Sequence, residues 1–406
     1  MNISDETIFE LKERGFIRGD LVKPDYRGFC ISNIGPTISE FLGIKFEEGM
    51  SLQEMKIIKN AMKNRGISDH YDNIVLLFID SINDGILNHL IDNSHLGKRK
   101  MIRGMLTSTF PSVTPTCLAS MVSGKPPISH GVVGFNFLIK GEIADVFELR
   151  SVINGKKLSG ADHYLKDVFD TDSIFDLCGE EEINTKMILP HQIAERETTK
   201  MIAKGMTIEG YRDLDEMSLI LKKNVEDGLT YVYIPIFDEI IHKFGTSDDK
   251  IYEISLNLAD KFRSIFKVKE EKTLLFIVSD HYQIDLNYKK EVRLDDEELT
   301  KNFVYPPGIS GGRVAYLYTD EAEEVKRELS KYDNITPLMA KEALEEGLFG
   351  DGEEKKEFKE RIGDVIVIAK GDAHLYYPYK KVVENKASHG ALNSEEMMVP
   401  FSLIEL

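Results

Sequence analysis

Four runs of consecutive apolar residues recur along the chain, each followed by polar or helix-like sequence. They are residues 73–79, 229–236, 273–278 and 364–369. Short apolar runs rich in Val, Ile, Leu and Phe are typical of strands buried on both faces. Because strands that alternate with helical sequence form parallel sheets covered by helices, the pattern predicts an α/β fold with one mainly parallel sheet.

The polar segments between these runs are long. Residues 140–222 and 283–381 are predicted to be insertions at the edge of the sheet. The second segment has helical periodicity over 320–331 and 336–347, followed by glycines. We therefore expect it to form a small α/β cap subdomain.

The region before the first strong strand has a different pattern. Residues 1–70 contain helix-like stretches at 5–14 and 52–65 and no motif with evident chemistry. We expect a helical extension packed on the core, followed by one large domain over residues 71–406.

Composition limits the class of protein. Hydrophobic residues make up 42% of the 406 residues, which is enough for a sizeable core. The formal net charge of -18 repels phosphate backbones, so we expect no binding to duplex nucleic acid. The N-terminus lacks a signal-peptide pattern, and no apolar stretch is long enough to span a membrane. The sequence therefore predicts a soluble, cytoplasmic protein.

Polar residues stand where two predicted elements meet the ligand edge of the sheet. Asp80 ends the first apolar run and is a candidate metal ligand, or a cap of the next helix; Asp84 is an alternative to it. Thr114 precedes an apolar helix-like segment, where a hydroxyl and a phosphoryl group are both favoured. The alternative is that Thr114 or Thr116 only caps that helix. Cys117 is a rival nucleophile, although no activating partner is evident.

Three further motifs carry ligand-type side chains. Asp238 and His242 lie four residues apart, which places them on one face of a helical turn, as metal ligands or as a solvated pair. Asp280 and His281 directly follow the third apolar run, and His389 forms a His-Gly step near the C-terminus. Cys30, Cys117 and Cys178 are too few and too scattered for a disulfide framework.

In this order, the motifs resemble the alkaline phosphatase superfamily, and residues 109–135 look most similar to its type I phosphodiesterase/nucleotide pyrophosphatase branch. The resemblance covers residues 72–406 and implies a three-layer fold in which residues 71–406 form the catalytic domain. It implies two metal ions, with zinc the usual pair and manganese or iron compatible with the ligands. By resemblance, one ion is bound by Asp238, His242 and His389, and the other by Asp80, Asp280, His281 and Thr114.

The resemblance also implies a reaction. Thr114 attacks phosphorus in line, and water then hydrolyses a phospho-threonine intermediate. The expected substrate is a small phosphodiester or a nucleotide pyrophosphate. In the family, an asparagine contacts the phosphate directly after a glycine; here Phe135 intervenes between Gly134 and Asn136. Asn136 and Phe135 are therefore candidate contacts to the phosphate and to a base.

Other functions remain open at this stage. A phosphomonoesterase or phosphonate hydrolase would need Lys125 or Arg313 to reach the third phosphoryl oxygen. A non-catalytic metal-binding protein is a further alternative. A sulfatase is disfavoured because that branch needs Cys or Ser where this chain has Thr114. His130 matches a family position that binds no metal, and we expect it to be structural.

Overall fold

The computed structural model describes residues 1–47, 49–158, 172–203, 206–225, 228–267, 273–379 and 384–406. Parts of the two segments predicted as insertions, at 159–171, 204–205 and 380–381, lie outside the described residues. No helix in the described ranges is both long enough and apolar enough to cross a lipid bilayer.

The strands of the described residues are given in chain order. They are Ile17–Arg18 (β1), Leu21–Val22 (β2), Asn73–Ile79 (β3), Lys100–Thr107 (β4), Asn136–Ile139 (β5), Glu142–Asp145 (β6), Arg150–Ser151 (β7), Thr185–Pro190 (β8), Thr207–Tyr211 (β9), Leu229–Ile234 (β10), Thr273–Val278 (β11), Ile284–Asp285 (β12), Glu291–Arg293 (β13), Phe303–Ser310 (β14), Val314–Thr319 (β15), Ile335–Met339 (β16), Val365–Ala369 (β17), His374–Tyr376 (β18), Ala387–Ser388 (β19) and Met398–Glu405 (β20).

The α-helices of the described residues follow the same order. They are Ser4–Glu13 (α1), Ile34–Leu42 (α2), Lys56–Arg65 (α3), Asp84–Asn93 (α4), Thr114–Ser123 (α5), Pro127–His130 (α6), Ile174–Glu180 (α7), His191–Ala194 (α8), Glu197–Ile202 (α9), Leu214–Asn224 (α10), Ile236–Phe244 (α11), Lys250–Ile265 (α12), Glu297–Thr300 (α13), Ala322–Leu329 (α14), Ala340–Glu345 (α15), Phe358–Ile362 (α16) and Ser394–Met397 (α17). Short 3-10 turns occur at Ile31–Asn33, Leu52–Glu54, Leu96–Lys98 and Tyr288–Lys290.

The central sheet has the strand order β4-β20-β11-β3-β10-β8-β9. Strands β11, β3, β10, β8 and β9 are mutually parallel, whereas β20 runs antiparallel to both of its neighbours. The prediction of a mainly parallel central sheet is therefore confirmed.

Helices cover both faces of this sheet. Side chains alternate along β3, so that Leu76 and Phe78 pack in one apolar cluster with α2, whereas Leu77 and Ile79 pack in another with α4 and α12. Each face of the strand is fully buried, which explains why β3 reads as an uninterrupted apolar run. The three-layer α/β fold is confirmed.

Two of the four predicted strands match the observed strands at both ends, β3 and β11. The run at 229–236 ends as a strand at Ile234, because Pro235 lacks an amide hydrogen and begins the turn into α11. The run at 364–369 was wrongly grouped with them. It forms β17, which lies in a separate antiparallel sheet of order β14-β15-β17-β16.

The two long polar segments contribute different structures. Residues 140–222, expected to be an insertion, supply β8 and β9 of the central sheet. The second segment contains the β14-β15-β17-β16 sheet together with α14 and α15. The helix predicted over 336–347 is wrong in its first half, which is strand β16; Pro337 is tolerated there because β16 is an edge strand.

The first 70 residues pack on the central sheet. Ile3 donates its amide hydrogen to Arg103 O of β4 at 2.8 Å, and α2 and α3 contribute Phe41 and Ile58 to the cluster that covers one face of the sheet. This region therefore shares its apolar core with the sheet.

Candidate metal centre and nucleophile

The candidate residues lie where β3, β10 and β11 end. Asp80 follows β3 directly, Asp280 follows β11 after one residue, and Asp238 lies in the first turn of α11, just after β10. Because these strands are parallel neighbours, their carboxyl ends meet at one edge of the sheet. The sheet therefore brings together three acids that are far apart in sequence.

Local structure excludes the two capping alternatives. Asn83 caps α4, since its Oδ1 accepts the amide hydrogen of Ile86 at 2.9 Å, so Asp80 is not the cap. Val113 is the N-cap residue of α5, and Thr114 is the first residue inside this helix, without a side-chain cap bond. The side chains of Asp80 and Thr114 are thus available to each other.

The first ligand group contains Asp238, His242 and His389. One donor atom from each lies within 4.8 Å of the others. His242 Nε2 is 3.3 Å and His389 Nε2 is 3.7 Å from Asp238 Oδ1. One carboxylate and two imidazoles at these distances suit a zinc-type ion.

The second ligand group contains Asp80, Asp238 and His281, again within 4.8 Å. His281 Nε2 lies 3.7 Å from Asp80 Oδ1 and 3.2 Å from Asp280 Oδ2. Thr114 Oγ1 is 3.2 Å from the same nitrogen and 3.5 Å from Asp80 Oδ2. All seven predicted positions therefore converge. The structure differs from the predicted ligand sets in placing Asp238 within reach of both groups, and Asp84 belongs to neither.

The three histidines share one orientation. In each ring, Nδ1 faces an acceptor oxygen, so Nδ1 carries the hydrogen and Nε2 keeps its lone pair for the centre. The acceptors are Ala387 O for His242 at 2.8 Å, Ser112 O for His389 at 2.9 Å and Ser81 Oγ for His281 at 3.1 Å.

Sequence reasoning missed Ser81, which connects the two ligand groups. Its hydroxyl donates to Asp238 Oδ1 at 2.8 Å and accepts from His281 Nδ1, and its φ of 57° lies in the left-handed region. Gln283 Nε2 donates to the same Asp238 oxygen at 2.7 Å. A non-glycine residue held at positive φ is uncommon and clusters at functional sites, but sequence alone does not reveal φ.

Tyr233 was also missed. Its hydroxyl donates to Asp80 Oδ2 at 2.5 Å from strand β10. Its position inside an apolar strand predicted only a core residue. The hydroxyl fixes the orientation of a candidate ligand whose other neighbours are mostly apolar or acidic.

The electrostatics of the centre favour bound cations. Burial, followed by the charge of Asp280, holds the pKa of Asp80 well above its usual range. Burial and the Asp238 charge raise the pKa of Asp280 to about 7. Burial lowers the pKa of His389 to about 4 and holds that of His281 far below its usual value. Buried carboxylates that repel one another beside neutral imidazoles form a set of electron-pair donors without a positive partner.

Two orphaned atoms test whether metal ions fit. Asp80 Oδ1 and Asp280 Oδ2 are buried and have no hydrogen-bond partner. Buried carboxylate oxygens without a partner are costly, and a coordinated cation removes that cost. The donor set of aspartate oxygens and imidazole nitrogens therefore fits divalent metal ions.

The rival nucleophile lacks activation. Cys117 Sγ is fully buried and contacts Ser108 Oγ and Thr109 Oγ1, each at 3.2 Å. Burial raises the pKa of its thiol to about 12, so the thiolate is scarce at neutral pH. Thr114 faces the ligand groups, and Cys117 does not.

A comparison with protein families identifies the chain. The sequence profile described as type I phosphodiesterase / nucleotide pyrophosphatase matches residues 75–392. The chain belongs to this family. Its members are hydrolases, so the protein is a hydrolase of the type I phosphodiesterase family. A search of curated protein sequences finds no match.

Solved structures of similar fold agree with this assignment. Murine ectonucleotide pyrophosphatase/phosphodiesterase 5 is 15% identical with a TM-score of 0.59, over 81% of this chain and 87% of that chain. An inactive threonine-to-alanine form of the murine protein in complex with AMP has a TM-score of 0.60 at 15% identity, over 82% and 87%. Phosphonoacetate hydrolase from Sinorhizobium meliloti, in complex with phosphonoacetate, is 15% identical with a TM-score of 0.55, over 82% and 90%. At such identities the similarity shows the fold.

Two pockets border the centre of this phosphodiesterase-family chain at different ends. The threonine-side pocket is lined by Thr114, Leu118, Val122, Phe175, Met187 and Tyr233, among others. The histidine-side pocket is lined by His242, His389, Phe135, Asn136, Tyr376 and Tyr377, among others. The first reaches the candidate nucleophile, and the second reaches the first ligand group.

Both predicted substrate contacts lie in the histidine-side pocket. Phe135 makes edge-to-face contacts with Phe147 and His389, with ring centroids 6.2 and 6.3 Å apart. Asn136 Nδ2 donates to Ile309 O at 2.9 Å, and its Oδ1 is buried without a partner. Their roles toward a substrate remain predictions.

Neither proposed basic residue reaches the centre of this family member. Arg313 is fully buried, and its guanidinium binds Glu396 at 3.1 and 2.8 Å and two backbone carbonyls. Lys125 follows the far end of α5, about 15 Å along the helix axis from Thr114. The expectation that either side chain contacts a third phosphoryl oxygen is therefore wrong.

Proposed function

We propose that the chain hydrolyses small phosphodiesters or nucleotide pyrophosphates with Thr114 as its nucleophile. The observation that carries the proposal is the position of Thr114 Oγ1, 3.2 Å from His281 Nε2 and 3.5 Å from Asp80 Oδ2 at the start of α5. A helix N-terminus also stabilises negative charge near that hydroxyl. The threonine thus lies where an anionic phosphoryl group and two ligand groups meet.

The reaction balances as two displacements. The Thr114 oxygen forms a bond to phosphorus while the bond from phosphorus to the leaving oxygen breaks, giving a phospho-threonine. Water then attacks phosphorus, the bond to threonine breaks, and the hydroxyl is restored. Two divalent ions, most simply zinc, with manganese or iron as alternatives, lower the pKa of the hydroxyl and neutralise charge on phosphate oxygens when bound.

Two observations support a diester over a monoester. A monoester carries an additional charged oxygen, and both basic residues considered for it, Lys125 and Arg313, are directed elsewhere. The pockets on the threonine and histidine sides offer space for two substituents on phosphorus. The AMP complex of the murine relative, described as inactive after a threonine-to-alanine change, supports the same chemistry.

A phosphonate hydrolase is the second candidate. The similar fold of phosphonoacetate hydrolase in complex with phosphonoacetate supports it. Cleavage of a phosphonate breaks a carbon–phosphorus bond, so the two candidates leave different products.

The test compares bis(4-nitrophenyl) phosphate, 4-nitrophenyl phosphate and phosphonoacetate on the zinc-loaded protein. We expect the diester to be hydrolysed fastest and Thr114→Ala to lower its turnover at least about 1,000-fold. Zinc binding by equilibrium dialysis should persist in this variant. Thr116→Ala is the matched control, because Thr116 Oγ1 is buried two residues away and has no hydrogen-bond partner. Near-normal turnover by Thr114→Ala contradicts the proposal, and faster cleavage of phosphonoacetate favours the second candidate.

A further inference from the structure

The threonine-side pocket begins at the nucleophile and continues along its helix. Thr114, Leu118 and Val122 are spaced four residues apart on α5, so they lie on one face of the helix. Pro115 and Ala119 border the same face. The helix that carries the nucleophile therefore presents an apolar stripe to whatever is attached to the attacked phosphorus.

The opposite walls are also apolar. Phe175 of α7, together with Met187 and Leu189 of β8, faces this stripe across the pocket. Ile193 of α8 and Phe147 complete the enclosure. The walls thus come from several elements on both sides, and together they form a concave site rather than an exposed patch.

Polar groups of the lining are engaged with the protein. The Tyr233 hydroxyl donates to Asp80 Oδ2. Arg196 pairs with Glu148 Oε1 at 3.2 Å, which neutralises its charge locally. Among the described lining residues there is no Asn, Gln, Asp, Glu, His or Lys. A nucleobase or a second phosphate would lose its hydration here without gaining matched partners.

The two pockets separate the two substituents of a diester. The histidine-side pocket contains His242 and His389, which belong to the ligand group farther from Thr114. In-line attack expels the leaving oxygen on the side opposite the nucleophile. The leaving group therefore departs toward the histidine side, and the substituent that stays on phosphorus occupies the threonine side.

We propose that the substrate is a phosphodiester whose retained substituent is a short alkyl or aryl group rather than a nucleoside. This inference rests on the proposed function and specifies its substrate class. The first displacement releases the leaving alcohol and leaves the alkyl or aryl phosphate on Thr114. Water then releases the alkyl or aryl phosphate monoester as the product.

The first experiment varies only the retained group of 4-nitrophenyl diesters. We expect kcat/KM to rise roughly threefold per added methylene, or about 30-fold from the methyl to the butyl ester. The 4-nitrophenyl ester of thymidine 5′-phosphate should be a poorer substrate than the butyl ester by at least about tenfold. A nucleoside ester that is preferred over the butyl ester overturns the inference.

The second experiment changes one wall of the pocket. Leu118→Gln should lower kcat/KM for the butyl ester about tenfold and leave that for the methyl ester within about twofold. Leu219→Gln is the matched control, because Leu219 is 64% exposed on α10 and does not line the pocket. Equal loss on both esters, or no loss on either, contradicts assignment of the retained group to this pocket.

A binding measurement separates failure of this inference from failure of the proposed function. Methyl- and hexylphosphonate have alkyl groups on an inert phosphorus, and calorimetry on the zinc-loaded protein measures their affinity without turnover. We expect hexylphosphonate to bind more tightly, and the difference to shrink in Leu118→Gln. If no diester is hydrolysed, the proposed function fails, and these affinities alone decide whether the pocket selects apolar groups. Equal affinities overturn the inference.

Discussion

Ser81 provides the sharpest test of how the two ligand groups are held together. Its hydroxyl donates to Asp238 and accepts the Nδ1 hydrogen of His281. Ser81→Ala removes both bonds and keeps the backbone requirement, because serine and alanine pay a similar cost at a φ of 57°. The variant therefore reports on the side-chain oxygen alone.

The magnitude follows from the burial of the partners. His281 is fully buried, so its Nδ1 hydrogen loses its acceptor in a place that water does not reach. An unsatisfied buried donor costs about 1–3 kcal/mol. Without that acceptor the ring also loses the bond that fixes its tautomer, and loss of such partners lowers metal affinity about 10- to 100-fold. We expect both effects in Ser81→Ala.

The assay measures zinc affinity by competition with a fluorescent chelator and the free energy of unfolding by urea. Ser402→Ala is the matched control, since Ser402 is a buried serine of the same sheet whose hydroxyl donates to Ile102 O. It should lose about 1 kcal/mol of stability and keep its zinc affinity. Zinc affinity of Ser81→Ala within threefold of the wild type would refute the reasoning.

Further predictions concern groups outside the ligand set. Burial lowers the pKa of His130 to about 3; the unfolded chain then binds the additional proton below about pH 6.5, so stability falls by about 1.4 kcal/mol per pH unit on acidification, and His130→Gln should remove that slope in urea unfolding curves. Arg313→Met leaves buried Glu396 unpaired and should cost about 3–5 kcal/mol, most of which Arg313→Met combined with Glu396→Leu should restore in the same assay. Cys117→Ala should keep diesterase turnover within about twofold; a loss as large as that of Thr114→Ala would reinstate the thiol as nucleophile.

The central sheet was predictable where the chain buries both faces of a strand. Strands β3 and β11 are continuous apolar runs, and their bounds were predicted to the residue. Strand β9 escaped because its burial is only partial at the sheet edge, so its sequence shows no strong apolar run. Strand β17 shows the converse limit, since an apolar run predicts a buried strand without indicating which sheet contains it.

The site was predictable for residues whose type announces their chemistry. Aspartates and histidines after strands are unusual in an apolar context, and the order of their motifs matched a family. Ser81 and Tyr233 were not predictable, because a serine in a turn and a tyrosine in a strand are common residues. Their importance depends on backbone conformation and strand neighbours, which appear only in the folded chain.

The register of the sheet explains why acids accumulate at one point despite their repulsion. Val278 pairs with Phe78, so Asp280 of β11 lies level with Asp80 of β3 on adjacent strands about 4.8 Å apart. On the other side of β3, Ile234 pairs with Ile79, and the turn into α11 brings Asp238 back over the same edge. Parallel strands in this register cannot separate these carboxylates without breaking the sheet, so neutralisation has to come from protons or cations. At neutral pH, bound cations supply that neutralisation, and a chelator should therefore lower the unfolding free energy as well as the activity.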